Sequence, residues 1–475
     1  MARFPLPSVP SRLIEVEVAG SPRRGAEVAV LVPAGAGEPV AGVPHSGKPG
    51  EVRRLPGGDV HWLVGIGEGE PAQWRTAGAA LAREAADVKA VQVELGGDVT
   101  GDQVAELTLG ALLGGYRFKV TADSGRPALR TLRLVTPEGG HQRIVDRVRA
   151  LAEASALARD LANTPSNIKN PEWLADTAAR LAAEVPGLTA TVRDEQWLAA
   201  QGFGGILAVG GGSASPPRLI ELTYRPRGAV RHLLLVGKGI TFDTGGLSIK
   251  PADGMHLMRT DMAGGGAVIA AARAIASLRL PVRVTALVPA AENHVSGSSY
   301  RPGDVVRHYG GRTTEVANTD AEGRMVLADA LAYGIRRFTP DAVIDVATLT
   351  GAMKVALGLR TGGLFATDDK LADGIREAGA SVGEAWWRMP LLDAHADAVR
   401  GELADVKQAP GGPGGITAAL FLREFTEGLP WAHLDIAGPA RAEKPYAEVV
   451  PGATGFAART LVAFAESFGT DQAVR

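Results

Sequence analysis

From Leu233 to Val346 the chain alternates short apolar runs with helical patterns: Leu233–Val236, Ala267–Leu278, Val282–Val288, Gly323–Arg336 and Ala342–Val346. Runs this short and mostly apolar suit strands covered on both faces, and strands separated by amphipathic helices pair in parallel through crossovers. The order predicts an open α/β sheet with helices on both sides. Such a sheet takes its ligands at the carboxyl ends of the strands, where loops converge and helix N-termini point into the crevice. Charged residues of this stretch fall there: Lys238 follows one strand, Asp320 and Glu322 open a helix, and Thr348 in Ala347-Thr-Leu-Thr-Gly351 closes another strand.

Upstream, β-branched runs at Arg12–Val18, Glu27–Val32, Val60–Val64, Val88–Val93 and Thr131–Val135 alternate with helical patterns at Ala72–Ala85 and Gln103–Leu113. They predict a small α/β domain over residues 1–140. The amphipathic stretch Gln142–Ala162, ended by Asn163-Thr-Pro-Ser-Asn, reads as a connecting helix and linker over 141–165. A larger domain is then expected over 166–475, with a mixed, largely parallel sheet flanked by helices. A chain of 475 residues suits two cores better than one. Gly65-Ile-Gly67-Glu-Gly69 has a glycine one place too early for a dinucleotide loop and reads as an ordinary strand-to-helix turn. Gln408-Ala-Pro-Gly-Gly-Pro-Gly-Gly reads as a flexible loop beside the site.

Composition removes several chemistries. There is no cysteine, so thiolate metal sites, disulfides and cysteine nucleophiles are out, and any metal must sit on oxygen and nitrogen. A formal net charge of −2 argues against nucleic acid and anionic membrane as partners. The N-terminus lacks the basic flank and apolar core of a signal peptide, and no later run is long and apolar enough to span a membrane, so the expected location is cytoplasmic. A serine triad has no Gly-x-Ser-x-Gly elbow to stand on, and the nine histidines do not gather in these loops. His256 is expected to pack or face solvent, and Met258, three residues before Asp261, to form a pocket wall.

Two loops carry the remaining chemistry. Lys238-Gly-Ile-Thr-Phe-Asp243-Thr-Gly-Gly-Leu-Ser-Ile-Lys250 leaves a strand, with Asp261 following. Asn318-Thr-Asp320-Ala-Glu322-Gly-Arg324 opens directly into a helix. Each acid alone would pass for a helix cap or a solvated charge. Four carboxylates gathered together would repel and protonate unless cations neutralised them, and two divalent ions would balance them. Lys250 and Arg324 would then be left for a developing oxyanion or a bound anion, which suits hydrolysis at a two-metal site. Glycines beside the acids, Gly245-Gly246 and Gly264-Gly265-Gly266, are expected where backbone approaches a ligand.

The sequence Asn318–Arg324 resembles the signature of the leucyl aminopeptidase family, the cytosolic dinuclear metallo-aminopeptidases. The resemblance extends from Asn163-Thr-Pro-Ser-Asn through Ala291-Glu-Asn, Arg301-Pro-Gly-Asp-Val and Ala347-Thr-Leu-Thr-Gly to Gly452-Ala-Thr-Gly-Phe. It implies that Asp243 and Glu322 bridge two divalent metals, manganese or zinc first and cobalt or magnesium as alternatives. Lys238 and Asp261 would complete one metal site, and Asp320, by side chain and main-chain carbonyl, the other. Lys250 would bind the carbonyl oxygen under attack, and Arg324 a bicarbonate-like anion acting as base. The implied substrates are peptides with a free N-terminus, leucine and other apolar residues preferred, met by Met258, Thr348 and Gly351. The implied assembly is a homohexamer. Two rival readings stand beside this one: a dinuclear phosphoesterase, and an aminopeptidase with an added DNA-binding role.

Overall fold

The computed structural model describes residues 8–121, 129–136 and 140–470, and it divides into two compact units. One comprises the chain through Ala156 together with Ala442–Gly452, and the other Leu157–Arg441 with the residues from Ala453. The helix Gln142–Asn163 runs without a break through the division.

In the first unit a six-stranded sheet has the order Glu15–Ala19, Thr131–Val135, Ala90–Glu94, Glu27–Pro33, Trp62–Gly67, Val52–Arg54. All pairs are parallel except the last, an antiparallel edge. Helices Pro71–Glu84 and Gly101–Gly114 contribute Trp74, Leu81, Leu107 and Leu112 to its core. The three-residue edge strand escapes sequence reading because it is too short to show a period. Gly65–Gly69 forms the end of a strand and the turn into a helix, as expected of an ordinary connection.

The larger unit is built on a nine-stranded sheet. Its centre is the strand His232–Gly237, paired in parallel with Arg283–Asn293 on one side and Ala342–Ala347 on the other; Trp431–Asp435 continues the parallel run. Every residue of His232–Gly237 and of Ala342–Ala347 is buried, as strands covered on both faces require. Toward the margins the pairing turns antiparallel, with Arg218–Tyr224 and Leu188–Arg193 on one flank and Thr361–Ala366 on the other. The sheet is therefore mixed and largely parallel, flanked by helices such as Ala263–Ser277 and Glu322–Phe338, and the expected fold class is the observed one. No helix among the described residues is long and apolar enough to cross a membrane.

One expectation needs correcting. Gly264-Gly265-Gly266 does not admit a ligand; it is the first turn of the helix Ala263–Ser277, which begins four residues before its apolar pattern does. A Cβ on Gly264 would lie 2.1 Å from the Val346 carbonyl oxygen, and one on Gly265 2.7 Å from Val288 Cγ1. The glycines let the helix lie directly on the strands. Alanine inside a helix ordinarily gains about 1 kcal/mol over glycine. Here the obstructing atoms are backbone, so Gly264→Ala is expected to lower unfolding stability by about 1–3 kcal/mol, the usual cost of overpacking. Denaturant unfolding that showed a gain instead would refute the packing account.

Candidate active site

Consecutive strands of the large sheet end on the residues of interest. Lys238 follows His232–Gly237, Asp243 closes the short strand Gly239–Asp243, Asn293 closes Arg283–Asn293, Thr348 follows Ala342–Ala347 and Asp435 closes Trp431–Asp435. Asp243 and Asn293 are register partners across a parallel pair. Glu322 begins the helix Glu322–Phe338, where the positive end of the helix dipole favours a carboxylate.

Two lysines divide the acids between them. Lys238 Nζ lies 2.8 Å from Asp261 Oδ2 and 2.7 Å from Glu322 Oε1, and it donates to the Thr348 carbonyl at 3.0 Å. Lys250 Nζ lies 2.8 Å from Asp243 Oδ2 and also pairs with Asp320. Lys238 is almost wholly buried, whereas the Lys250 side chain keeps 21% of its surface. One lysine is therefore interior and the other faces the open side. Gly323 lets Lys238 in: a Cβ there would sit 2.6 Å from Lys238 Cε. At the other lysine, Gly245 and Gly246 take positive φ values of 85° and 64°, which turn the chain back sharply after Asp243.

The charge balance is that of a cation site. Burial raises the Asp243, Asp261 and Asp320 carboxyls above the ordinary carboxylate range, and neighbouring acids add to the rise while the lysines oppose it. Burial disfavours charge on both lysines. The surrounding carboxylates outweigh it and hold each of them above its ordinary value. Asp243, Asp320 and Glu322 each offer an oxygen within 4.8 Å of the others. Such a hard-oxygen set suits divalent cations.

The signature loop accounts for its own backbone. Ala317 N–H and Asn318 N–H both donate to Gln408 Oε1 at 3.1 Å, and Thr319 N–H donates to Ser248 Oγ at 3.2 Å. Asp320 N–H finds Asn318 Oδ1 at 2.9 Å, and Ala321 N–H finds the Asn318 carbonyl. The Thr319 carbonyl accepts from Asn293 Nδ2 (3.0 Å) and the Tyr300 hydroxyl (2.8 Å); the Ala321 carbonyl accepts from Gln408 Nε2 (2.9 Å). Asn293 Nδ2 also donates to Asp243 Oδ1 at 2.8 Å, so one amide ties the two acid-bearing loops together. Arg324 is buried, with Nη1 donating to the Gln408 carbonyl. Burial lowers its guanidinium to about 10, which leaves it charged at neutral pH.

The structure thus brings together Lys238, Asp243, Lys250, Asp261, Asp320 and Glu322. The Thr348 hydroxyl joins them by donating to Asp261 Oδ1 at 2.7 Å. Met258 is half-buried on the 3₁₀ turn Met255–Thr260, its carbonyl accepting from Asp261 N–H; Gly351 is exposed at the start of the helix Gly351–Leu357, and His256 is exposed. Sequence reading missed Asn293, Tyr300, Thr319, Gln408 and Asp435. The last accepts from Leu349 N–H, Thr350 N–H and the Thr350 hydroxyl, pinning the turn that carries Thr348. Gln408 is fully buried, so the patch read as a flexible loop begins with an anchored residue.

Comparison with known proteins agrees with this geometry. Residues 156–462 match the cytosol aminopeptidase family, catalytic domain. The chain is 45% identical over 451 residues to the probable cytosol aminopeptidase of Leifsonia xyli subsp. xyli, covering 90% of each. It is 48% identical over 370 residues to that of Syntrophotalea carbinolica, covering 76% of this chain and 74% of the relative. Among solved structures, the bottromycin maturation enzyme BotP in complex with Mn is similar with a TM-score of 0.86 and 41% identity, over 93% of this chain and 99% of that one. With an acid-rich site at the carboxyl ends of its sheet and these relatives over most of its length, the chain belongs to the cytosol aminopeptidase family and is a metal-dependent aminopeptidase.

Proposed function

We propose that the protein removes the N-terminal residue from peptides, leucine and other apolar residues preferred, by hydrolysis at a two-cation centre. The observation that carries this reading is the pairing of four clustered carboxylates with one interior and one outward lysine. Two divalent cations, manganese or zinc, would be held by Asp243 and Glu322 between them, with Lys238 and Asp261 on one side and Asp320 on the other. When bound they supply Lewis acidity: they hold the substrate's neutral α-amine, polarise the scissile carbonyl and acidify water.

The chain's own groups do the rest. Once the charge of Asp261, Glu322 and Asp243 is spent on cations, burial favours the neutral amine of Lys238, which is the form able to act as a ligand. Lys250, on the open side, keeps its charge and steadies the oxygen of the carbonyl under attack. Arg324, held by the Gln408 carbonyl, has its remaining N–H groups to hold a bicarbonate-like anion, which would supply a base for the attacking water. Met258, Thr348 and Gly351 border the side chain of the departing residue.

Because free α-amines titrate at about 7.7–8.0 and only the neutral form has a lone pair to give, kcat/KM is expected to rise from mildly acidic to mildly alkaline pH. N-acetylated substrates should not turn over. A flat profile, or equal turnover of acetylated peptides, would contradict amine capture. The same reading makes the protein a cytoplasmic homohexamer, and sedimentation showing a stable, fully active monomer would remove that part of it.

A further inference from the structure

We propose that Gln408 is a positioning residue of the hydrolytic centre, fixing Asp320 and Glu322 against the cations and aiming Arg324 at the same time. The inference rests on the two-cation reading above. Gln408 follows the short strand Val406–Lys407, which pairs in parallel with Thr313–Glu315, the strand leading into the signature loop. Its own N–H donates to the Glu315 carbonyl at 3.0 Å. The side chain is thus carried to the loop by a backbone pairing independent of the loop itself.

Its amide has one possible orientation. Oε1 receives two N–H groups, from Ala317 and Asn318, while Nε2 donates to the Ala321 carbonyl, so rotating the amide would set donor against donor and acceptor against acceptor. These contacts bracket Asp320 on both sides. The last of them holds Ala321, which caps the helix of Glu322 and has no side-chain hydrogen bond of its own to do so. The main-chain carbonyl of Gln408 itself accepts from Arg324 Nη1 at 2.6 Å. One buried residue therefore contacts the backbone on either side of an outer-site acid, the first turn bearing a bridging acid, and the anion-holding guanidinium. None of its hydrogen bonds reaches Asp243, Asp261 or Lys238.

This asymmetry predicts an effect that plain loss of packing would not produce. Gln408→Met keeps the volume and loses all three side-chain hydrogen bonds. It is expected to weaken the Mn²⁺ affinity of the Asp320 site by about 10–100-fold, to weaken the other less because the two share Glu322, and to lower kcat over the same range, since supporting partners of ligands carry effects of that size. Gln408→Asn, too short to reach all three partners, should show the same split more mildly, and it carries the test if the methionine variant does not fold. The measurements are Mn²⁺ titration against a competing chelator, kcat on an aminoacyl amide, and thermal melting. A lower melting temperature with both affinities and kcat within about twofold of the unaltered protein would assign Gln408 a structural role only and overturn the proposal. If the unaltered protein itself binds fewer than two Mn²⁺, the two-cation reading falls and takes this one with it.

Discussion

Lys250→Ala is expected to lower kcat by about 10²–10³ while both divalent cations stay bound, the usual effect of deleting one donor to a developing oxyanion. Lys238→Ala, twelve positions earlier, should do something different in kind: it should lose cation. The distinction comes from where each nitrogen lies. Lys238 is enclosed between Asp261 and Glu322, so its removal would take away a proposed ligand and leave two buried acids without their partner. Lys250 stands at the open edge against Asp243 and Asp320, where it can meet a substrate without being needed to hold an ion. Metal analysis run beside steady-state kinetics separates the two. If the Lys250 variant is the depleted one and the Lys238 variant is fully loaded, the roles are reversed from those proposed.

Stripping the protein with a chelator should abolish hydrolysis of aminoacyl amides altogether, because the proposed mechanism leaves both the polarisation of the carbonyl and the activation of water to the cations. Restoring Mn²⁺, Zn²⁺, Co²⁺ and Mg²⁺ one at a time should return activity to different extents, since an oxygen and nitrogen donor set accepts all four unequally. Run across a panel of side chains, the same experiment reports whether leucine is preferred and whether the turn of Met258 and the residues Thr348 and Gly351 set that preference. Residual hydrolysis in fully stripped protein would contradict the cation requirement. Phosphate ester turnover exceeding amide turnover would favour the phosphoesterase reading.

The sheet was legible because its strands announce themselves: Leu233–Val236 and, but for Asp345, Ala342–Val346 are apolar on both faces and lie among helical patterns. The acids were legible because Asp243, Asp320 and Glu322 lie within three residues of a glycine in loops that leave strands or open helices. What stayed hidden depends on contacts between distant segments. Gln408 lies in a stretch whose glycines and prolines suggest looseness, yet it is fixed by partners roughly 85–90 positions earlier in the chain. Asn293 looks like a strand terminus and links two loops through one amide. The helix of Ala263 starts inside a glycine run because close approach to the strands outweighs the low helix propensity of glycine. Nothing local marks Ala442–Gly452 as belonging with the first unit.

The two lysines also bear on the order in which this enzyme is made. An acidic cluster that depended on metal for its countercharge could not be enclosed until the ion arrived, and the chain would fold only as the loaded form. With Lys238 and Lys250 already among the acids, burial of the cluster costs less, and the chain can close first and be loaded afterwards. With Lys238 as a ligand, loading would exchange protons for metal, its ammonium giving up a hydrogen. Under the proposed ligand set, maturation of this protein would be an acid–base exchange within a finished fold, favoured where protons are scarce and reversed where they are plentiful.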